Sequence, residues 1–212
     1  MFAKDYRKLA WGKLSGNWGA AIVVVLLYSV IMGLASSIGV GSLLLSGILG
    51  VGLASFFLGL MRSQPAKIED LFSGFRTGVV NNLLAGVLVY LYTALWTMLF
   101  IIPGIVKSYS YAMTFYILKD HPEMSANDAI TESRKMMNGN KWRLFCLDIS
   151  FIGWYLLIPL TCGLLAFMVT PYVCAARAAF YESLKGAPVE AEAVEAPAAV
   201  EAPAADETAP EA

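Results

Sequence analysis

An all-α, polytopic membrane helix bundle is predicted by three features of this sequence. The chain has 212 residues, of which 58% are apolar and only 15% are charged, whereas soluble domains carry about 25% charged residues. The charges are clustered, and apolar segments of helical length separate the clusters. Basic residues gather at one set of segment ends, the pattern that orients membrane proteins. We predict about six transmembrane helices in three hairpins, with two cytoplasmic interfacial amphipathic helices.

The charge distribution divides the chain into two regions. Residues 1–186 contain all 15 basic residues and nine acidic ones, whereas residues 187–212 contain seven acidic residues and no basic one. The second region consists mainly of Ala, Pro and Glu, a composition that cannot bury a hydrophobic core. We therefore predict an integral membrane helical domain over residues 1–186 and a disordered acidic tail over residues 187–212.

The predicted membrane domain begins with a basic, partly amphipathic segment, residues 1–16, which is expected to lie on the membrane surface. Apolar segments long enough to cross a bilayer, or nearly so, then follow. They cover residues 17–36, 42–61, 81–102, 105–118, 144–160 and 162–181. The third is expected to end at Pro103-Gly104. The fourth has only 14 residues, while about 20 are needed to cross without tilt, so its full crossing is left open.

The second predicted span carries small side chains at every fourth position, about one helical turn apart. These residues are Ser42, Ser46, Gly50 and Ala54. Such a stripe lets membrane helices approach closely. It indicates packing within the bundle, with a homodimer face as the alternative.

Two polar segments have the periodicity of amphipathic helices. Between the second and third spans, apolar residues recur at i, i+3, i+4 and i+7, which predicts a helix on the membrane surface after Pro65. These residues are Ile68, Leu71, Phe72 and Phe75. Farther along, Ser125 is a good N-cap and Asn138-Gly139 a C-terminal stop. The less polar face of this second helix consists of Ala126, Ala129, Ile130, Ser133, Met136 and Met137.

The basic residues predict the orientation of the bundle. Fourteen of the 15 lie in residues 1–16, 62–78 and 119–143 and at the C-terminal end of the domain; Lys107 is the exception. In an arrangement of three hairpins all four segments fall on one side, which the positive-inside rule places in the cytoplasm. We expect a multi-pass protein of the cell membrane with cytoplasmic N- and C-termini.

Ionisable residues within predicted spans are costly and are therefore candidates for function. Asp148 and Arg177 lie a similar distance from the cytoplasmic ends of the fifth and sixth spans, which form one hairpin, so we predict an intramembrane ion pair. A structural role, a transport or proton role, and snorkelling without a partner all stay open.

A second candidate is a polar groove on the fourth span. Tyr109 and Tyr116 share a helix face at i, i+7, and with Lys107, Ser108 and Ser110 they could line such a groove. Interfacial packing of the tyrosines and snorkelling of Lys107 are the alternatives. The sequence offers no catalytic, cofactor-binding or metal-binding residues, because signatures such as HExxH and GxxxxGK[ST] are absent and neither the cysteines nor the single histidine has metal spacing.

The central stretch resembles the bacterial family of integral membrane proteins catalogued as domain of unknown function 975. The matching segments are PGIVKSYSYAMTFYIL (103–118), PEMSANDAITESRKMMNGNKWRLF (122–145) and SFIGWYLL (150–157). The likeness extends over roughly residues 1–185 and leaves the acidic tail outside. It implies a multi-pass bacterial membrane protein, and it brings no activity, substrate or catalytic residue.

Three classes of function remain. We expect a non-enzymatic accessory or envelope-associated factor, whose partners are the lipid bilayer and a membrane or cytoplasmic protein. Homo-oligomers are also open. Nucleic acid is not expected as a partner, because the basic residues lie at helix ends, where they orient the protein in the membrane. The alternative is a small-solute or lipid transporter or channel, suggested by helices broken at Pro103, Pro159 and Pro171. An enzyme is the least favoured class. Polar groups converging near mid-membrane would favour transport, and a partner-binding protein should lack them.

Overall fold

A computed structural model describes residues 3–37, 41–65, 67–161 and 163–186, and these residues form helices without any strand. The α-helices are α1 (Ala3–Leu14), α2 (Trp18–Ser36), α3 (Gly41–Met61), α4 (Val79–Leu99), α5 (Ile101–Tyr111), α6 (Thr114–Asp120), α7 (Ala126–Met136), α8 (Lys141–Ile149), α9 (Ile152–Leu157) and α10 (Ala166–Lys185). Two 3₁₀ helices cover Ile68–Phe75 and Pro159–Thr161. The predicted all-α class is confirmed, and the predicted acidic tail lies outside the described residues.

Four segments of the described chain are long and apolar enough to cross a membrane. They are Trp18–Ser36, Gly41–Met61, Val79–Leu99 and Lys141–Thr161. These segments match the first, second, third and fifth predicted spans. α10 covers most of the predicted sixth span but is not among the four, and it carries Arg177, Glu182 and Lys185.

The third predicted span ends earlier than expected. α4 stops at Leu99, and Phe100 is extended, with φ −153° and ψ 132°. α5 starts at Ile101, so Pro103 lies in its first turn, where the N–H that proline lacks would have no intrahelical acceptor. The expected end at Pro103-Gly104 is therefore wrong, because this proline helps to begin a helix.

The fourth predicted span, residues 105–118, is not one helix. It is divided between α5 and α6 by a turn at residues 112–113. At this turn the Met113 N–H donates to Ser133 Oγ at 3.2 Å, and the same hydroxyl donates to the Ser110 carbonyl at 2.8 Å. A side chain of α7 therefore satisfies backbone groups that the break would leave unpaired.

The first predicted interfacial helix is a 3₁₀ helix that packs against the middle of α3. Leu71 is fully buried there, whereas Ile68, Phe72 and Phe75 are 40%, 38% and 43% exposed. A Cβ atom on Gly52 of α3 would overlap the Leu71 carbonyl oxygen. This backbone contact fixes Leu71 on α3. Ile68, Phe72 and Phe75 stay exposed, so their expected contact with the membrane surface stays a prediction.

The other two polar segments also pack on the bundle. α1 buries Tyr6, Ala10 and Leu14, and the Tyr6 ring lies edge-on to Phe180 of α10 at 5.3 Å between ring centroids. α7 begins at the predicted cap, where Ser125 Oγ accepts from the Asp128 N–H at 3.2 Å. Its buried residues, Ala126, Ala129, Ile130 and Ser133, belong to the face predicted from the sequence.

Candidate functional site

A cavity of about 510 Å³ lies inside the bundle, with walls from α2, α3, α4, α5, α6, α8 and α10. Its apolar wall includes Leu53, Val89 and Phe115. Its polar and thiol side chains are Tyr28, Ser46, Thr93, Ser108, Tyr109, Tyr111, Tyr116, Asp148, Cys174 and Arg177. We call this space the central cavity. A mixed wall of this kind is typical of sites that enclose a small ligand and orient it with a few polar groups.

The structure brings Asp148 and Arg177 together in the wall of the central cavity. Arg177 donates from Nε to Oδ1 of Asp148 at 3.2 Å and from Nη2 to Oδ2 at 2.7 Å. The Asp148 side chain is 18% exposed and that of Arg177 is 42% exposed. Since both line the cavity, the exposed part of the guanidinium faces it. Among the described residues the hydrogen bonds of Arg177 use Nε and Nη2, which leaves Nη1 for a ligand or water.

The central cavity lies near the middle of the helices that surround it. Arg177 is eight residues before Lys185 at the end of α10, about 12 Å along the axis. Tyr28 is ten residues into α2, about 15 Å. Gly50 is nine residues into α3, about 14 Å. The central cavity therefore lies at about mid-helix depth along α2, α3 and α10.

Three of the five predicted groove residues line the central cavity. They are Ser108, Tyr109 and Tyr116. Lys107 and Ser110 line a separate cleft beside α7, and the Lys107 ammonium lies 4.7 Å from the Trp96 ring centroid. Successive residues of a helix point about 100° apart, so Lys107 and Ser108 can face different surfaces. The predicted groove is therefore wrong for Lys107 and Ser110, and its other three residues share the wall of the central cavity with Asp148 and Arg177.

Aromatic contacts hold the tyrosines of the cavity wall. Tyr116 stacks on Tyr181 of α10 with ring centroids 5.3 Å apart, and Tyr109 lies edge-on to Phe145 of α8 at 5.9 Å. Ring pairs of these geometries stabilise the packed arrangement beyond the area they bury. The tyrosines therefore combine packing on their outer sides with exposure to the cavity.

The small-residue stripe of α3 also faces inward. Ser46, Gly50 and Ala54 line the central cavity, and the Phe115 ring packs against Gly50. The packing role expected of the whole stripe stays a prediction, because the close backbone contacts of α3 lie beside it, at Gly47 and Gly52, where a Cβ atom would overlap the carbonyl oxygens of Asn82 and Leu71. The stripe gives the cavity its smooth wall on the α3 side.

A polar cluster that sequence reasoning missed joins the ends of α3, α6 and α10. Asp120 accepts hydrogen bonds from Arg62 at 2.8 Å, Lys185 at 2.7 Å and Tyr181 at 3.0 Å, and Arg62 also donates to Glu182 at 2.8 Å. Burial would raise the pKa of Asp120, but the hydrogen bonds and positive charges of Arg62 and Lys185 outweigh it and lower that pKa to about 2. The cluster therefore behaves as a structural clamp.

Metal coordination is not indicated by the arrangement of the described residues, which contain no group of three or more His, Cys, Asp or Glu side chains placed to hold an ion.

Residues 101–188 match the model of a family described as "Protein of unknown function (DUF975)". The match begins with α5 and includes α10, so it covers four of the seven helices that line the central cavity, α5, α6, α8 and α10. The resemblance stated from the sequence is confirmed by this match. No curated protein and no solved structure matches the chain.

Proposed function

We propose that this protein, whose residues 101–188 match the DUF975 family model, binds a small polar or amphiphilic molecule in the central cavity and moves it across the membrane. The observation that carries the proposal is the Asp148–Arg177 pair in the wall of a cavity of about 510 Å³. This is the transporter or channel class that the sequence analysis kept as the alternative.

The energetics of the cavity support a binding role. A charged pair in a membrane span is expensive, and a buried pair often stabilises a fold no better than apolar residues of similar volume. A cavity inside a bundle also forfeits packing. The central cavity combines both costs, which a ligand that contacts the guanidinium and fills the space would offset.

Broken helices around the cavity support the same proposal. The turn between α5 and α6 places Ala112 in the cavity wall, and Asp148 lies just before the break between α8 and α9. Irregular backbone at membrane depth is tolerated where it is buried or lines a cavity. Discontinuous helices of this kind form the substrate sites of many transporters.

The proposed topology has six crossings in three hairpins, in the cell membrane of a bacterium, with both termini in the cytoplasm. Its support is the clamp of Arg62, Asp120 and Glu182, since hairpins bring the ends of α3, α6 and α10 to one side. Reporter fusions after residues 102 and 130 test it. We expect the first to be active outside and the second inside, and an externally active fusion after residue 130 would contradict the topology.

Mass spectrometry of the protein extracted gently from its own membrane tests the binding proposal. Thr93→Phe places a bulky ring in the cavity, and Leu95→Phe on the same helix is the matched control because Leu95 is 63% exposed. We expect a small molecule or specific lipid to co-purify with the wild type and Leu95→Phe and to be lost from Thr93→Phe. Equal retention by all three, or no retained molecule, would overturn the proposal.

The accessory function expected first from composition stays a prediction that the same experiment tests. A stoichiometric protein partner, lost when the exposed face of α7 is altered, would support it. That outcome without any retained small molecule would count against transport.

A further inference from the structure

We propose that a basic cleft between α5, α7 and the start of α8 binds the phosphate-bearing headgroup of an anionic membrane phospholipid. The cleft has a volume of about 350 Å³. Its cations are Lys107 from α5, Arg134 and Lys135 from α7, and Lys141 from α8, and Thr131 and Asn138 add polar groups. It is distinct from the central cavity, so the inference does not depend on the proposed function.

The charges of the basic cleft are largely uncompensated. Lys135 pairs with Glu132 at 3.2 Å, and both side chains are well exposed, at 69% and 46%. Within the described part of the chain, Lys107, Arg134 and Lys141 form no salt bridge. Three positive charges therefore converge on one small concave surface, where they attract an anion more strongly than separate surface charges do.

Helix electrostatics account for some of these cations but not for all. Arg134 and Lys135 occupy the last turn of α7, where basic residues complement the helix dipole. Lys141 opens α8, whose first turn contains no acidic residue, and a cation at this position opposes the dipole. Lys107 lies within α5, away from its C-terminal carbonyls. A bound phosphate would neutralise the positive charges of Lys107 and Lys141 and accept hydrogen bonds from the N–H groups of the first turn of α8.

The surroundings of the cleft favour a lipid over a free anion. Val106, which precedes Lys107, is 44% exposed, and Trp142, which follows Lys141, is 70% exposed. Exposed apolar chains and a tryptophan beside basic residues are typical of the boundary between headgroups and acyl chains. Basic pockets between membrane helices bind anionic headgroups in the same way. Acyl chains would lie along α5 while the phosphate occupies the cleft.

Native mass spectrometry of the full chain, titrated with phosphatidylglycerol or phosphatidylcholine, tests this site. The test variant is Lys107→Gln/Lys141→Gln. The matched control is Lys67→Gln/Arg76→Gln, which removes two positive charges from the segment between α3 and α4, outside the basic cleft. We expect the wild type and the control to prefer phosphatidylglycerol, and the test variant to bind it on the order of tenfold more weakly.

Two further measurements keep the test decisive. The thermal midpoints of the variants establish that they remain folded, and Lys107→Arg/Lys141→Arg should retain the lipid preference if charge is what matters. An equal loss in both Gln variants would overturn the site. If inorganic phosphate or glycerol phosphate displaced phosphatidylglycerol at comparable concentration, the cleft would be a free-anion site and the lipid assignment would be wrong.

Discussion

Removal of the Arg177 side chain gives the sharpest energetic test of the central cavity. Arg177→Ala leaves the carboxylate of Asp148, only 18% exposed, without the two hydrogen bonds that it accepts. Truncation of one partner of a buried pair costs about 3–5 kcal/mol, and the open cavity favours the lower end of that range. We therefore expect Arg177→Ala to lower the free energy of unfolding by about 3 kcal/mol.

Asp148→Ala should destabilise the protein less, because the unpaired charge that it leaves, on Arg177, is more exposed to solvent. Asp148→Ala leaves a guanidinium that is 42% exposed, so we expect a loss of about 1.5 kcal/mol. The double variant removes both charges and should lose about 3 kcal/mol. The coupling free energy between the two side chains is then about 1.5 kcal/mol, within the range for residues in direct contact.

Equilibrium unfolding in mixed micelles with a denaturing detergent, followed by circular dichroism, measures the stability of the wild type, the two single variants and the double variant. The pair Glu132 and Lys135 is the matched control, because both side chains are largely exposed and one turn apart on α7. Its coupling should be below about 0.5 kcal/mol. Additive effects of Asp148→Ala and Arg177→Ala, within about 0.3 kcal/mol, would refute the assignment of a coupled pair.

Two further predictions concern the framework of the bundle. Gly52→Ala should lower the free energy of unfolding by at least about 2 kcal/mol, seen as a lower thermal midpoint, because its Cβ would overlap the Leu71 carbonyl oxygen. Gly33→Ala is the control, because nothing lies within 4 Å of its Cβ, and it should be neutral or slightly stabilising. Equal thermal midpoints for the two variants would contradict the close contact at Gly52. The clamp at Asp120 should contribute about 2 kcal/mol above pH 4, and this contribution should be lost as the pH falls toward 2, because the folded-state pKa of Asp120 is below its ordinary value of 3.8. A pH titration of the unfolding free energy checks it, and Asp120→Asn should be less stable at neutral pH and should lose this part of the pH dependence; an unchanged titration curve would count against the clamp.

The parts of the fold that follow from one segment alone could be predicted from the sequence. Twenty apolar residues in a row specify α2 and α3 to within about one residue, since length and hydropathy suffice. The start and buried face of α7 follow from the Ser125 cap and the helical period. The 3₁₀ helix could not be predicted in this way, because it packs through a backbone contact between distant segments, Gly52 with Leu71. The break at Phe100 was missed because Pro103 was taken as the end of a span, whereas it lies in the first turn of the next helix.

The same division holds for the candidate site. A pairing of Asp148 with Arg177 could be predicted because charges within apolar spans are rare and must find a partner. The clamp around Asp120 could not, because its partners lie among many charged residues where sequence pattern does not select one pair over another. Lys107 was assigned to the wrong surface because its neighbour Ser108, which does line the central cavity, points about 100° away from it around the helix.

Photo-crosslinking from the cavity wall tests the binding proposal most directly. The photoreactive residue p-benzoylphenylalanine would replace Tyr109, which lines the central cavity, and in a control would replace Leu95, which is 63% exposed. After irradiation in the native membrane and mass spectrometry, we expect one dominant small-molecule or lipid adduct at position 109 and a mixture of bulk phospholipids at position 95. The same mixture at both positions, or crosslinks only to the chain itself at position 109, would show that the central cavity holds no specific ligand.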